Sequence, residues 1–420
     1  MIISNLKDSR SSFILAVFMI FIFIGPSVSV GPIKLYHLIT AILLVFTAFI
    51  VLRTKKVDRK DFLSVLITCF FVAYLFVKHF YFDEISLRYF VYLFYFLVTY
   101  VVYLLSFHSI KSLGLEKIAN IIVVVSYFNL FLAFFELSLG ISVFNFNPLG
   151  VEFQNMSSLW GNVNTNAICL LFSTVAVYYS GRRKHYFVLT LLLVLYCLAI
   201  HSKLALMATI GQMSFLVMAN SYKARLYFLC GAVVVGTLTT MFLSNHIESV
   251  VNAVVQAWNF LANTEQLKAV VESGTLESIA VRAYALSEML NILKGFNLLD
   301  YLFGIGFGSI NISFYNETWM KTVSYFPPHF FYLEMIIYCG ISFFAFYFIQ
   351  IKVLSGKFGL KYMLILLPSF MSVISVSSVV YFVPFYFFLA MITYLNLVTK
   401  EEHPSPNSGQ LKGHEYDCGL

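Results

Sequence analysis

The chain has 420 residues, 60% of them hydrophobic and only 11% charged. A soluble domain carries roughly 25% charged residues, so this composition excludes an ordinary water-soluble protein and suits a lipid bilayer. The formal net charge of +7 says nothing about nucleic acid, and no nucleic-acid partner is expected; what matters is where the basic residues fall.

Lys7 and Arg10 precede the first apolar run. No small-residue cleavage site is clear and further apolar runs follow at once, so this is read as a retained first helix. A spanning helix needs about 20 mostly apolar residues. Twelve stretches are candidates: 12–30, 34–52, 62–78, 89–107, 118–139, 164–180, 186–201, 204–219, 226–244, 329–350, 362–379 and 381–399. The tight pairs 186–219 and 362–399 each read as a hairpin or a broken helix. The expected fold class is an all-α polytopic membrane protein. Transmembrane helices 1–9 lie in residues 1–244 and helices 10–12 in residues 329–399. A large, partly helical loop covers 245–328. The tail, 400–420, has almost no apolar content and is expected to be disordered.

Loop charge sets the orientation. With a cytoplasmic N-terminus, 19 of the 27 Lys and Arg residues fall on inside segments and eight outside. Both termini are then cytoplasmic and the large loop is external. The six cysteines show no metal-ligand spacing and no extracellular disulfide framework. They read as packing residues.

The loop has helical pattern. Residues 246–263 place Ile247, Val250, Val251, Val254, Trp258 and Leu261 on one face, an amphipathic helix lying either on the membrane surface or on the loop's own core. In residues 275–294, Leu276, Ile279, Ala283, Leu286, Leu290 and Leu293 form an apolar stripe. Thr275 is its candidate N-cap, and Lys294-Gly295 reads as its stop. Arg282 adjoins the stripe. "LFGIGFGS", residues 302–309, has glycines at 304, 306 and 308. It lacks the Lys-Ser/Thr of a phosphate-binding P-loop. It is read as a tight turn, with a phosphate cradle as the alternative and Gly306 as the candidate substrate contact.

Outward cations at helix ends, Lys34, Lys78 and Arg88, either snorkel or meet a ligand; Arg88 is kept as a candidate substrate contact. Three residues point further toward chemistry. Lys203 lies in the turn "IHSKLAL", where the loop-charge tendency opposes a cation. Arg282 lies on the loop helix. His329 follows Pro327 and Pro328, which stop its helix from extending backward. Two fixed cations and one group titrating near neutral pH suit a diphosphate leaving group. The cations hold phosphate oxygens and stabilise developing charge, and the imidazole takes a proton from an attacking hydroxyl. Asn162 and Asn164, in "LWGNVNTNAICL", suit sugar hydroxyls or helix capping. Glu334 lies five positions after His329, about 140° round the helix, and faces a different neighbour. Asp83 and Glu84 are the adjacent outer carboxylates, without a spaced His/Asp cluster to make a metal site. No metal and no cofactor are expected.

"HSKLAL" at 201–206, "VRAYALSEML" at 281–290, "LFGIGFGS" at 302–309 and "PHFFYLEMIIYCGI" at 328–341 together resemble the O-antigen polymerase and ligase superfamily of bacterial inner membranes. In that family these landmarks correspond to a Ser-Arg turn between two spans, an Arg on a helix of the large periplasmic loop, a Gly-rich turn, and a His-Asn-x-x-Leu start of the next span. Order and spacing agree over about 140 residues, and the N-terminal half agrees in topology only. Lys203 stands where the family has Arg, which keeps the charge and loses the fork. Phe330 stands where Asn is common.

The resemblance implies metal-independent glycosyl transfer at the periplasmic face from an undecaprenyl-diphosphate-linked oligosaccharide, with catalytic roles for His329, Arg282 and Lys203. A flippase and a chain-length regulator of the same pathway would be partners. The favoured activity is polymerisation onto the next lipid-linked repeat unit. Alternatives are ligation to lipid A-core, a non-enzymatic polysaccharide-unit flippase, or an acidic-site lipid-sugar glycosyltransferase using Asp83 and Glu84.

Overall fold

A computed structural model describes residues 9–24, 29–30, 33–34, 42, 58–82, 87–140, 163–200, 202–218, 278–307, 309–310, 312–316, 321–325, 330–356, 360–373 and 382–402. The helices are α1 (Ser9–Ile24), α2 (Arg59–Phe82), α3 (Leu87–Leu113), α4 (Leu115–Leu139), α5 (Val163–Tyr179), α6 (Arg183–Ala199), α7 (Lys203–Met218), α8 (Ser278–Lys294), α9 (Leu298–Phe303), α10 (Phe331–Cys339), α11 (Ser342–Ser355), α12 (Leu360–Ile365), α13 (Leu367–Ser372) and α14 (Val383–Glu402). Two short antiparallel hairpins accompany them: β1 (Ser29–Val30) with β2 (Ile33–Lys34), and β3 (Ile312–Asn316) with β4 (Lys321–Tyr325). The expected spans 34–52 and 226–244, the helix at 246–263 and the tail beyond 402 lie outside the described residues.

Among the described residues, α2, α3 and α4 are long and apolar enough to cross a membrane, and α10 with α11 makes a fourth if the bent pair is one span. α5, α7 and α14 are shorter apolar helices. The outer surface is apolar too: Phe62, Phe70, Val124, Phe131, Phe187 and Met207 are all exposed. Continuous apolar cover of this kind is foreign to a water-soluble bundle. The chain is a predominantly helical membrane protein.

The centre is built on two helices with no outward face. From Phe382 through Thr393 every residue at the start of α14 is buried, as is every residue from Thr165 to Val177 in α5. Their sequences are apolar all round, so no side needs solvent. α14 packs against α3, α11 and α5. Phe172 stacks on Phe388 with ring centroids 4.4 Å apart, and the Tyr103 and Thr393 hydroxyls are 2.9 Å apart.

In lipid, apolar contact alone does not draw helices together, so polar pairs and close packing take over. Gln350 of α11 shows this. Its Oε1 accepts from Ser64 Oγ at 2.5 Å, and its Nε2 donates to the Ser64 carbonyl and to Thr68 Oγ1, each at 3.1 Å. Ser64 Oγ also meets Tyr100 Oη at 2.9 Å. One fully buried amide thus ties α2, α3 and α11.

The basic residues gather at one end of the bundle. Lys60 Nζ donates to the Leu354 carbonyl at 3.3 Å, capping the C-terminus of α11. His108 meets Asp61 at 3.1 Å and Arg182 meets Glu116 at 3.0 Å. These contacts bring the starts of α2 and α4, the α5–α6 turn and the ends of α3 and α11 together, with Lys111, Lys117, Arg183, Lys184 and Lys352 in the same segments.

Two expected spans are broken, and each break has a chemical cause. Residues 329–350 form no single helix: α10 and α11 meet at 98°. Gly340 sits at the corner with φ 66°, and Gly304 of the glycine-rich turn packs onto it with φ 71°. A Cβ on Gly304 would overlap the Tyr338 and Cys339 backbone, and one on Gly340 would overlap Leu302 and Phe303. Three hydrogen bonds close the contact: Ile305 N donates to the Ile337 carbonyl (2.7 Å), Gly306 N to Tyr338 (3.0 Å) and Ile341 N to Tyr301 (2.9 Å), while Gly304 N caps α9 by donating to the Asp300 carbonyl (2.6 Å). The carbonyls left over at the end of α10 are thereby satisfied by the turn.

The second break separates α12 from α13, next to Pro368. In an unbroken helix Ser369 N would donate to the Ile365 carbonyl. Gln212 of α7 stands in that gap instead: its Nε2 donates to the Ile365 carbonyl at 2.9 Å, and its Oε1 accepts from Ser369 N at 3.2 Å and Ser369 Oγ at 2.6 Å. A side-chain amide inserted into the ladder is a recognised cause of a kink.

Candidate functional site

The start of α10 joins the elements that carry the predicted catalytic residues. His329 itself lies outside the described residues; Phe330 precedes the helix with φ −129° and α10 begins at Phe331. From its first turn, Tyr332 Oη donates to the Phe370 carbonyl of α13 at 2.5 Å. α13 packs on α7, which begins at Lys203. α8, which carries position 282, packs on α10. The side chains of Lys203, Arg282 and Arg88, and all of Asn162, lie outside the described residues.

Ala285, Met289 and Leu293 are the buried face of α8, whereas Leu290 is 39% exposed. Leu293 of the expected stripe is thus buried and Leu290 is not, while Tyr284, Ala285 and Met289, outside that stripe, are buried. α8 leads through α9 into the clasp at the C-terminal end of α10.

The Lys203 turn is held from below. Ser202 is buried, its N donates to the Cys197 carbonyl at 2.9 Å, and its Oγ donates to Asn164 Oδ1 at 2.5 Å. Asn166, fully buried one step along α5, accepts from Asn129 Nδ2 at 2.6 Å and donates to Tyr196 Oη at 3.2 Å. Asn164 Oδ1 thus meets a protein hydroxyl. This bond ties the start of α5 to the residue immediately before Lys203.

Gly306 and Arg88 belong to the opposite end of α10. The Gly306 amide donates to Tyr338 and its carbonyl accepts from Ser309 Oγ at 2.8 Å, so the amide a phosphate cradle would need is engaged. Tyr89, next to Arg88 in α3, has its ring 6.2 Å from Phe307 of the same turn.

Two charged residues have more structural prominence than their sequence setting indicated. Glu334, in the first turn of α10, has no exposed surface. The Lys78 ammonium nitrogen is buried instead of reaching outward. Ionisable groups inside a membrane bundle are costly and mark functional regions. The sequence signal available was an acidic residue five positions into an apolar run.

Beside the start of α10 lies a cleft of ≈ 380 Å³ between α10, α11, α12, α13 and α14. Its walls are apolar and aromatic, including Phe331, Tyr332, Phe348, Met363, Leu367 and Leu389. Among the described residues, no group of three His, Cys, Asp or Glu side chains is placed to hold a metal. No protein-family model, curated protein or solved structure matches the chain.

Proposed function

We propose that the chain is a polymerase of O-antigen or a related surface polysaccharide, a metal-independent glycosyltransferase of the bacterial inner membrane. In this reading it has about 12 spans, both termini in the cytoplasm and the 245–328 loop in the periplasm. The observation that carries the reading is the apolar cleft against the first turn of α10, two residues after the only imidazole of that segment, His329. A polyprenyl tail needs an apolar channel reached from the bilayer, and its diphosphate needs cations at the channel's end.

Arg282 and Lys203 hold the donor diphosphate. The bond between the donor's anomeric carbon and the phosphate oxygen breaks, and the acceptor hydroxyl oxygen bonds to that carbon. The hydroxyl proton passes to His329, and undecaprenyl diphosphate leaves as an anion beside the two cations. Removing one such stabilising group costs about 10²–10³ in rate. Arg282 supplies a planar fork to phosphate oxygens and Lys203 a point charge.

Complementation of a polymerase-null strain, with polysaccharide length read on a gel, tests this. The wild-type chain restores a ladder and Arg282→Ala collapses it to single repeats. In native cells from which the chain itself is deleted, single repeats that never reach the outer face would identify a transporter, and polysaccharide left on the lipid carrier, unattached to core, would identify a ligase. Either result overturns the polymerase reading.

A further inference from the structure

A second cavity, of ≈ 420 Å³, lies between α2 and α9. Its volume falls in the range of small-molecule sites, roughly 300–1,000 Å³. Tyr74 and Phe303 stand on its walls with ring centroids 4.9 Å apart, and Val77 and Leu299 line it while remaining exposed, which opens it sideways. Polar groups enter from Asn297 and Asp300.

Those two side chains are held still by each other. Asn297 Oδ1 accepts from Leu299 N at 2.8 Å and Asp300 N at 3.0 Å, and Asp300 Oδ2 accepts from Asn297 N at 3.1 Å. This reciprocal cap uses one oxygen of each side chain and the backbone amides of the turn. It leaves Asn297 Nδ2 as a donor and Asp300 Oδ1 as an acceptor, neither with a partner among the described residues. The Lys78 side chain also lines the cavity, with its ammonium nitrogen buried. A rigid donor beside a rigid acceptor, with aromatic faces opposite, matches a ring that has hydroxyls on its edge and C–H bonds on its face.

We propose that this cavity is a binding subsite for one sugar ring of the glycan; the inference rests on the polymerase reading. It lies beside the clasp at the C-terminal end of α10, about 13 Å from the helix start at roughly 1.5 Å per residue. A sugar held there belongs to the glycan away from the bond being made, and it fixes which repeat unit is accepted.

Photo-crosslinking in the protein's native cells tests it. A benzophenone amino acid replaces Val77 or Leu299 at the cavity rim, Met363 in the apolar cleft, or the exposed Phe187 of α6 as a control. The expected result is carbohydrate-bearing adducts at positions 77, 299 and 363 and none at 187. Asn297→Ser, which keeps the cap and removes the amide donor, lowers the yield at 77 and 299 about five-fold and leaves 363 unchanged. Adducts at 363 with none at 77 and 299, or carbohydrate-free lipid adducts there, overturn the subsite and leave the polymerase reading standing. Absence of glycan adducts at all of these positions removes both.

Discussion

Gly304 and Gly340, distant in the chain, lie backbone against backbone, each in the space a side chain on the other would need. Both are at positive φ, and the hydrogen bonds on either side hold the corner between α10 and α11. Gly304→Ala combines left-handed strain of about 1–2 kcal/mol with a backbone overlap that no rotamer relieves. Gly114 is the comparison: it has φ 82° between α3 and α4, with nothing within 4 Å of an added Cβ. Gly114→Ala is expected to lower the melting temperature of the detergent-purified protein slightly, and Gly304→Ala to abolish folded yield. Equal effects of the two substitutions would show that the clasp is unimportant.

The buried amides give a second expectation. Gln350→Leu strips partners from Ser64 and Thr68, and Gln212→Leu strips them from Ile365 and Ser369. Each loss is expected to cost about 1–3 kcal/mol, the desolvation of the groups left behind. Unfolding in mixed detergent micelles reads this directly. Gln212→Glu keeps the acceptor for Ser369 and loses the donor for Ile365, so its stability falls between wild type and Gln212→Leu.

The 329–350 and 362–379 segments show where sequence reading stops. Helices at 118–139, 164–180, 186–201 and 204–219 follow from apolar length and polar punctuation, and α4 to α7 match them closely. The bend at Gly340 does not follow in this way, because its cause is Gly304, a residue remote in sequence. A lone glycine in an apolar run looks the same whether or not another backbone presses on it. The break before α13 had a local sign, Pro368, but the amide that fills the gap comes from α7. In the site, the asparagines at the start of α5 were legible as polar groups at a helix end. Their partners, Ser202 for Asn164 and Asn129 for Asn166, became visible only once four helices were packed. On α8 the expected stripe holds at Leu293 but not at Leu290, and the buried Tyr284, Ala285 and Met289 lie outside it.

The Ser202–Asn164 contact makes a prediction about coupling. If it orients the Lys203 turn, Asn164→Ala and Ser202→Ala each reduce polymerisation about ten-fold, since small misplacement of a positioned group is costly. The double variant is expected to be no worse than the poorer single one, because both remove the same bond. Lys203→Arg retains activity in this scheme and Lys203→Ala loses about 10²-fold. Additive losses in the Asn164/Ser202 pair, read as rates with purified lipid-linked substrate, would show that they act separately.

The apolar cleft is tested by filling it. Met363→Trp adds bulk to a wall made by α12 and leaves the cations and imidazole untouched. The expected effect is about a ten-fold higher KM for a full-length polyprenyl donor, with kcat and folded yield retained, because added volume excludes the tail at a cost of about 1–3 kcal/mol. A donor with a truncated prenyl chain is expected to lose less. A fall in kcat alone, with KM unchanged, would place the tail elsewhere.

The burial of α14 has a consequence for how the protein is made. This helix is the last of the described helices to leave the ribosome, yet it fills the space between α3, α5 and α11. The described helices before it must therefore wait around an unfilled axis until residues 383–402 have been translated. Chains released early would keep that axis open to lipid and to proteases, so nascent products lacking residues 383–402 should be degraded soon after release.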